Sequence, residues 1–187
     1  MRVDRLGSAR LAVVGLDTTT GQPPVIVEAV VYRLTGGVIT AGPFSYWAAP
    51  DTRLGEVPAR CWPNMRLAPP WAEVSPHLLD ALDQRTVVVH EPGRLDQLSR
   101  HLPDWPPAGV LATRDLADQQ WPGLDDYGLD ALTALISGNH LARVGPGATA
   151  EAQATALLLG VLLTYPDGPP RRGRTRAAAV PASVSTR

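Results

Sequence analysis

Four acidic side chains and one histidine stand where this chain could do chemistry. Asp17 ends one apolar run and His90 and Glu91 end another, while Asp96 and Glu151 fall early in predicted helical stretches. Carboxylate oxygens are the ligands that hard divalent cations prefer. Carboxylates and histidines also transfer protons in general acid–base catalysis. These residues are therefore the candidates for a metal site or a proton-transfer site.

The acids also have ordinary structural explanations. The run Thr18–Thr20 directly after Asp17 favours an Asx-turn or a cap at the end of a strand. Asp96 suits a solvated helix face, and Glu151 suits the positive N-terminal end of a helix dipole. The residues by themselves leave both explanations open.

The stretches that must position these residues begin with three β-rich runs. The first run is short and apolar, and the next two are separated by Gly36-Gly37, which predicts a hairpin turn. The predicted strands are Arg10–Leu16, Val25–Leu34 and Val38–Trp47. Together they predict an antiparallel three-strand meander.

The remaining chain alternates helical and β patterns after a proline-rich crossover at residues 51–70. The predicted helices are Trp71–Leu82, Pro92–Leu102, Tyr127–Ile136 and Thr149–Leu163, and the predicted strands are Arg85–Val89 and Gly109–Thr113. A meander followed by parallel crossovers predicts an α/β fold, a mixed sheet flanked by helices.

The composition is that of an ordinary globular domain. The chain has 187 residues, of which 44% are hydrophobic, and its net charge is -1, with arginine as the only basic residue type. This balance argues against strong non-specific binding to duplex DNA, which depends on phosphate neutralisation. A single cysteine, Cys61, favours a reducing cytoplasm. No apolar run is long enough to span a membrane.

The C-terminal end differs from the rest of the chain. Residues 1–166 are predicted to form the folded domain, and residues 167–187, rich in arginine, proline and alanine, are predicted to be a disordered tail. Its RRGRTR cluster suits contact with nucleic acid or an acidic partner, or simple solvation.

Four stretches, in order between Leu11 and about Leu163, carry a resemblance to a known family. They are LAVVGLDTTTG, APPWAEVSPHLLDAL, VVVHEPGRLDQL, and VLATRDLADQQWPGLDDYGLDAL followed by ATAEAQATALLL. They resemble the motifs of the DnaQ-like (DEDDh) 3′–5′ exonucleases of the RNase H-like superfamily. The resemblance implies an RNase H-like fold and hydrolysis of phosphodiesters with two divalent cations, Mg²⁺ or Mn²⁺, held by four acids beside a general-base histidine.

The chain departs from the family pattern at most of these positions. The first family acid falls at Gly15, and the general base falls at Pro146, with His140 further upstream. The third acid falls at Leu95, and Asp96 follows it. The resemblance therefore assigns no catalytic residue confidently.

The remaining site assignments also follow from the resemblance. It implies Asp17, Asp96 and Glu151 as the remaining metal ligands, with Asp17 and Glu151 differing from the family residues by one methylene each. The implied substrate contacts are Thr18, Thr19, Trp62, His90 and Glu91.

Tryptophans are the other unusual residues. Trp62 suits stacking on a base, but also a loop anchor or a partner contact. Trp71 takes the place of a family core aromatic and is expected to be buried. Trp105 and Trp121 lie beside prolines in predicted loops, where exposed rings would indicate a protein interface.

Three functions are compatible with this sequence. The first is a pseudo-exonuclease that keeps the fold for binding a nucleic-acid 3′ end, single-stranded DNA or RNA, a nucleotide or a protein partner. The second is an active exonuclease with rearranged carboxylate ligands and Mg²⁺ or Mn²⁺ as cofactor. The third is a protein-interaction scaffold without a nucleic-acid role.

Overall fold

The fold is a five-stranded mixed sheet with helices on both faces. The computed structural model describes Leu6 and residues 8–50, 54–103 and 105–169. The sheet has the order β3-β2-β1-β4-β5, antiparallel between β1 and β2 and between β2 and β3, and parallel elsewhere. Its strands are β1 (Arg10–Thr18), β2 (Ile26–Thr35), β3 (Val38–Trp47), β4 (Thr86–Val89) and β5 (Gly109–Ala112). The predicted α/β class, with an antiparallel three-strand meander followed by parallel strands, is confirmed.

In the part of the chain that the structure describes, six α-helices flank the sheet. They are α1 (Trp62–Met65), α2 (Trp71–Leu82), α3 (Gly93–His101), α4 (Thr113–Gln120), α5 (Leu129–Ser137) and α6 (Ala148–Thr164). The prediction of a strand through Thr113 is wrong by one residue, because Thr113 already begins α4. The prediction of a wholly irregular crossover is also wrong, since residues 54–65 form two short 3-10 turns and α1. Nearly all of the predicted tail, residues 170–187, lies outside the described residues.

Alternating side chains of β1 build two cores. Leu11 and Val13 face α4, α5 and α6, whereas Ala12, Val14 and Leu16 face α2 and α3. This alternation follows from the two-residue repeat of a strand that is covered on both sides. Within the described residues no helix is long and apolar enough to cross a membrane.

Candidate functional site

Gly15 lies under the first turns of α6. A Cβ atom placed on Gly15 would lie 2.1 Å from the carbonyl oxygen of Ala148 and 2.7 Å from the backbone nitrogen of Ala152. Both contacts are to backbone atoms, so no side-chain rotation could relieve them. Glycine and small helix residues at this contact let α6 approach the strand closely. The position at which the resemblance places the first family acid is therefore filled by helix backbone.

Asp17 is two residues further along β1, on the same face of the sheet. Its side chain is almost fully buried, and both carboxylate oxygens bind the guanidinium of Arg60. Arg60 Nε lies 3.1 Å from Oδ2, and Arg60 Nη2 donates to Oδ1. The thiol of Cys61 lies 3.5 Å from Oδ2. Such a two-point pair with arginine is a strong, geometrically specific interaction.

Short segments of the crossover hold Arg60 in this place. The backbone N–H of Thr20 donates to the carbonyl of Glu56 at 2.8 Å. Cys61 packs with Val27 and Val57 in a small third core. The crossover is thus fastened to the end of β1 by hydrogen bonds, apolar contacts and the Arg60–Asp17 ion pair.

Glu28 is a second buried acid at this end of the sheet, and sequence reasoning missed it. It is the direct register partner of Asp17 on β2, so the two side chains share one face. Burial and the nearby charge of Asp17 raise the pKa of Glu28 to about 7, against the lowering effects of Arg60 and Ser45. The available signal was its place in the otherwise apolar run VIVEAVV.

Glu151, on the first turn of α6, is held by a second arginine. Arg94 Nε and Nη2 each lie 3.1 Å from one carboxylate oxygen of Glu151, and the backbone N–H of Leu16 lies 3.4 Å from Oε2. Burial raises the pKa of Glu151, and Arg94 opposes that rise. The charge of Asp17 makes a smaller contribution to the rise. We call Asp17, Glu28 and Glu151 the acid cluster.

The remaining residues of the implied catalytic set do not join this cluster. Asp96 is exposed on α3, next to the half-buried Leu95. Pro146 and His140 are also exposed. Among the described residues, no three acids, histidines or cysteines converge in a way that could hold a metal ion.

The arrangement does not fit the two-cation centre that the resemblance implies. One acid position is filled by backbone atoms of α6, at Gly15, and Asp96 points to solvent. The carboxylates of Asp17 and Glu151 are already paired with guanidinium groups through both oxygens. A divalent cation would have to displace an arginine at each of them.

The implied substrate contacts His90 and Glu91 have different surroundings. His90 is buried, and its Nδ1 lies 2.9 Å from the hydroxyl of Thr113. Burial lowers the pKa of His90, which favours its neutral form. Glu91 is partly exposed and pairs with Arg114 at 2.8 Å.

Thr18 and Thr19 close the turn after β1. Thr18 is half-buried, and Thr19 is buried, with its hydroxyl accepting a hydrogen bond from the backbone N–H of Val25 at 2.9 Å. The Thr19 hydroxyl therefore serves the β1–β2 turn rather than an external ligand. The expected turn is therefore held by Thr19, whereas the Asp17 carboxylate, for which an Asx-turn or cap was the structural explanation, binds Arg60 instead.

The tryptophans divide into anchors and one exposed ring. Trp62 is 45% exposed, and its indole N–H donates to the carbonyl of Val57. Trp71 is half-buried rather than buried, with its N–H donating to the carbonyl of His101. Trp121 is buried in the core between the sheet and helices α4, α5 and α6, so it is not an interface residue. Trp105 is half-buried and packs against the core between the sheet and helices α2 and α3.

Solved structures with the same fold provide the comparison. A 3′-exonuclease, in a structure describing 3′-end specific recognition of histone mRNA stem-loop, matches with a TM-score of 0.68 at 11% identity. That match covers 83% of this chain and 64% of the other. The nuclease domain of 3′hExo, a DEDDh family member bound to rAMP, matches with a TM-score of 0.66 at 10% identity, over 84% of this chain and 92% of that domain.

Exonuclease I of E. coli in complex with a dT13 oligonucleotide matches with a TM-score of 0.64 at 12% identity. The alignment covers 84% of this chain but only 42% of exonuclease I. No protein-family model and no curated protein matches the chain. The chain thus has the DnaQ-like, RNase H-like fold of the DEDDh 3′–5′ exonucleases.

Proposed function

We propose that this domain is a DnaQ-like module that binds a nucleic-acid 3′ end or a nucleotide without metal-dependent hydrolysis. The observation that carries the proposal is the contact at Gly15, where the backbone of α6 fills the space that an acid would need. A two-metal mechanism needs cations held in fixed positions by several carboxylates. The chain lacks both the acid and the room for it at this position.

The ligand class is supported by the proteins that share the fold. Their structures include a 3′-exonuclease on a histone mRNA stem-loop, a nuclease domain with rAMP, and exonuclease I with dT13. These ligands are nucleic acids or a nucleotide, and the first is recognised at its 3′ end. We assign the same class of ligand to this chain as part of the proposal.

Trp62 is the residue best suited to contact such a ligand. Its ring is 45% exposed, and it follows the segment that carries Arg60 over the end of β1. Stacking of a base on an aromatic ring contributes ~1–3 kcal/mol. Nδ1 of buried His90 and the hydroxyl of buried Thr19 are engaged in hydrogen bonds within the fold.

A binding titration tests this function. Fluorescence anisotropy with short 3′-labelled single-stranded RNA and DNA should show saturable binding that weakens with salt. Trp62→Ala should reduce the affinity about tenfold through the lost stacking. Leu67→Ala is the matched control, since Leu67 is a nearby and more exposed apolar side chain. Absence of binding at low salt would favour a protein-interaction scaffold instead.

A nuclease assay tests the other half of the proposal. No nucleotide should be released from a 3′ end in Mg²⁺ or Mn²⁺. Release that disappears in Asp17→Ala would establish the active, rearranged exonuclease. That alternative requires Asp17, Asp96 and Glu151 to converge, whereas Asp96 is exposed. The cytoplasmic location stays a prediction.

A further inference from the structure

The acid cluster receives its positive charge from two unrelated segments of the chain. Arg60 reaches Asp17 from the 3-10 turn Ala59–Cys61, and Arg94 reaches Glu151 from the start of α3. The paired residues are 43 and 57 positions apart in sequence. Both contacts are therefore products of the tertiary fold and not of local helix geometry.

We infer that Arg60 and Arg94 are the resident cations of the acid cluster, taking the charge-balancing role that the resemblance would assign to divalent ions. Removal of these guanidinium groups should then make the cluster responsive to divalent cations. The inference concerns the charge balance alone, so it does not depend on whether the domain binds nucleic acid.

The geometry supports this assignment at both acids. Each guanidinium binds through Nε and Nη2 and occupies both oxygens of its carboxylate. A further donor lies beside each acid, the thiol of Cys61 at Asp17 and the backbone N–H of Leu16 at Glu151. The carboxylates are thus engaged on both oxygens, with little capacity left for a metal ion.

The charge count supports the same conclusion. Two guanidinium charges balance the carboxylates of Asp17 and Glu151, and Glu28 has no paired guanidinium of its own among the ion pairs of the described residues. The raised pKa of Glu28, caused by burial and by Asp17, is what an acid without its own counterion should show. A third positive charge in the cluster would have opposed that rise.

These pairs differ from an ordinary surface ion pair. The side chains of Asp17 and Glu151 are 6% and 15% exposed, whereas Glu91 and Arg114 are 42% and 51% exposed. Loss of an arginine from the cluster leaves a buried, uncompensated carboxylate, which strongly favours a replacement cation. Exposed Glu91 would be compensated by water.

Thermal unfolding with and without millimolar Mn²⁺ tests the inference. Mn²⁺ should change the unfolding temperature of the wild-type protein by no more than it changes that of the control variant Arg114→Ala. Arg60→Ala and Arg94→Ala should unfold at lower temperatures and recover part of the loss with Mn²⁺ in a saturable manner.

A binding titration provides a second measurement. The double variant Arg60→Ala, Arg94→Ala should bind Mn²⁺ at least about tenfold more tightly than wild type in an electron paramagnetic resonance titration. This requires Asp17 and Glu151 to rotate once they lose their partners, since three ligands do not already converge among the described residues.

Neutral pairs provide the control for specificity. Arg60→Ala combined with Asp17→Asn, and Arg94→Ala combined with Glu151→Gln, remove the cation and its acid together and should be insensitive to Mn²⁺. Arg60→Gln and Arg94→Gln replace the alanine variants if those do not fold. Stabilisation of the wild-type protein by Mn²⁺ that Asp17→Asn abolishes would overturn the inference. Folded arginine variants without any Mn²⁺ response would overturn it equally, and neither result depends on the nuclease or binding assays.

Discussion

Gly15 and Asp17 lie two residues apart on the same face of β1, and neither position offers a carboxylate that is free to bind a cation. The cause differs between them, and we call the two causes steric closure and electrostatic closure. At Gly15 the closure is steric, because backbone atoms of Ala148 and Ala152 stand where a side chain would begin. At Asp17 the closure is electrostatic, because Arg60 occupies both carboxylate oxygens. The first can be opened only by moving a helix, whereas the second can be opened by changing one side chain. Mutations at Gly15 and at Asp17 should therefore change the free energy of unfolding by different amounts.

The largest effect is expected for Gly15→Asp. The Cβ atom alone would overlap two backbone atoms, and overpacking of a core typically costs 1–3 kcal/mol and occasionally more. We expect a loss of at least about 3 kcal/mol in the free energy of unfolding, measured by urea denaturation. Gly15→Ala should lose a comparable amount, because the clash begins at Cβ.

Gly93→Ala is the matched control for that experiment. A Cβ atom at Gly93 meets nothing within 4 Å, and Gly93 also begins an element beside the sheet. Its stability should stay close to that of wild type. If Gly15→Asp were as stable as wild type, α6 would be able to shift away from β1. The proposed difference between steric and electrostatic closure would then be wrong.

The next effect is the pH dependence contributed by Glu28. Its folded pKa, about 7, lies above its ordinary value of 4.5, so the folded state binds the proton more tightly. Its contribution to stability is fully present below pH 4.5 and is lost as pH rises through about 7. The difference corresponds to at most about 3 kcal/mol.

Glu28→Gln should remove this slope and be more stable than wild type at pH 8. Parallel urea titrations of both proteins from pH 4 to pH 8 measure the difference. If the free energy of unfolding depended on pH in the same way in both proteins, Glu28 would have an ordinary pKa in the folded state. The predicted effect of burial and Asp17 on Glu28 would then be wrong.

A smaller effect is expected for the coupling between Arg60 and Asp17. The arginine side chain is 45% exposed, so solvent screening reduces the energy that a buried pair would have. A double-mutant cycle of Arg60→Ala and Asp17→Asn should give a coupling energy of about 1–2 kcal/mol. The same cycle on Arg114 and Glu91 should give no measurable coupling, and similar values for both pairs would contradict an electrostatic closure at Asp17.

The smallest effect is expected at a neutral polar contact near the end of β4. Thr113→Val removes the hydroxyl that lies 2.9 Å from Nδ1 of buried His90, without a change in charge. The loss should be about 1 kcal/mol, the usual contribution of a hydrogen bond. Thr149→Val, at an exposed position of α6, should leave the free energy of unfolding unchanged within error. A loss in Thr113→Val that exceeds the coupling energy of Arg60 and Asp17 would reverse the expected order.

Much of the fold could be predicted because its signals are local. The strands β1 to β3 follow from apolar runs and a glycine turn, and α6 follows from an almost continuous apolar stretch. The helix α4 was missed because its sequence, TRDLADQQ, is short and polar and follows a strand without a break.

The acid cluster could be predicted only in part. Sequence reasoning singled out Asp17 and Glu151, and the resemblance implied an absent acid at Gly15, but Arg60, Arg94 and Glu28 were missed. The arginines contact acids more than forty residues away, a distance over which no periodic pattern operates. The reason that Gly15 must be glycine lies in the position of α6, which is likewise a tertiary contact.

The contact between Gly15 and α6 also determines how this domain could be engineered. A single substitution, Gly15→Asp, would introduce the acid that the resemblance implies at this position. The protein carrying that change would still need α6 to shift before the carboxylate had space. A library that aims to install hydrolysis in this scaffold should therefore vary residues 145–152 first, and introduce the acid only into backbones in which the helix has already moved outward.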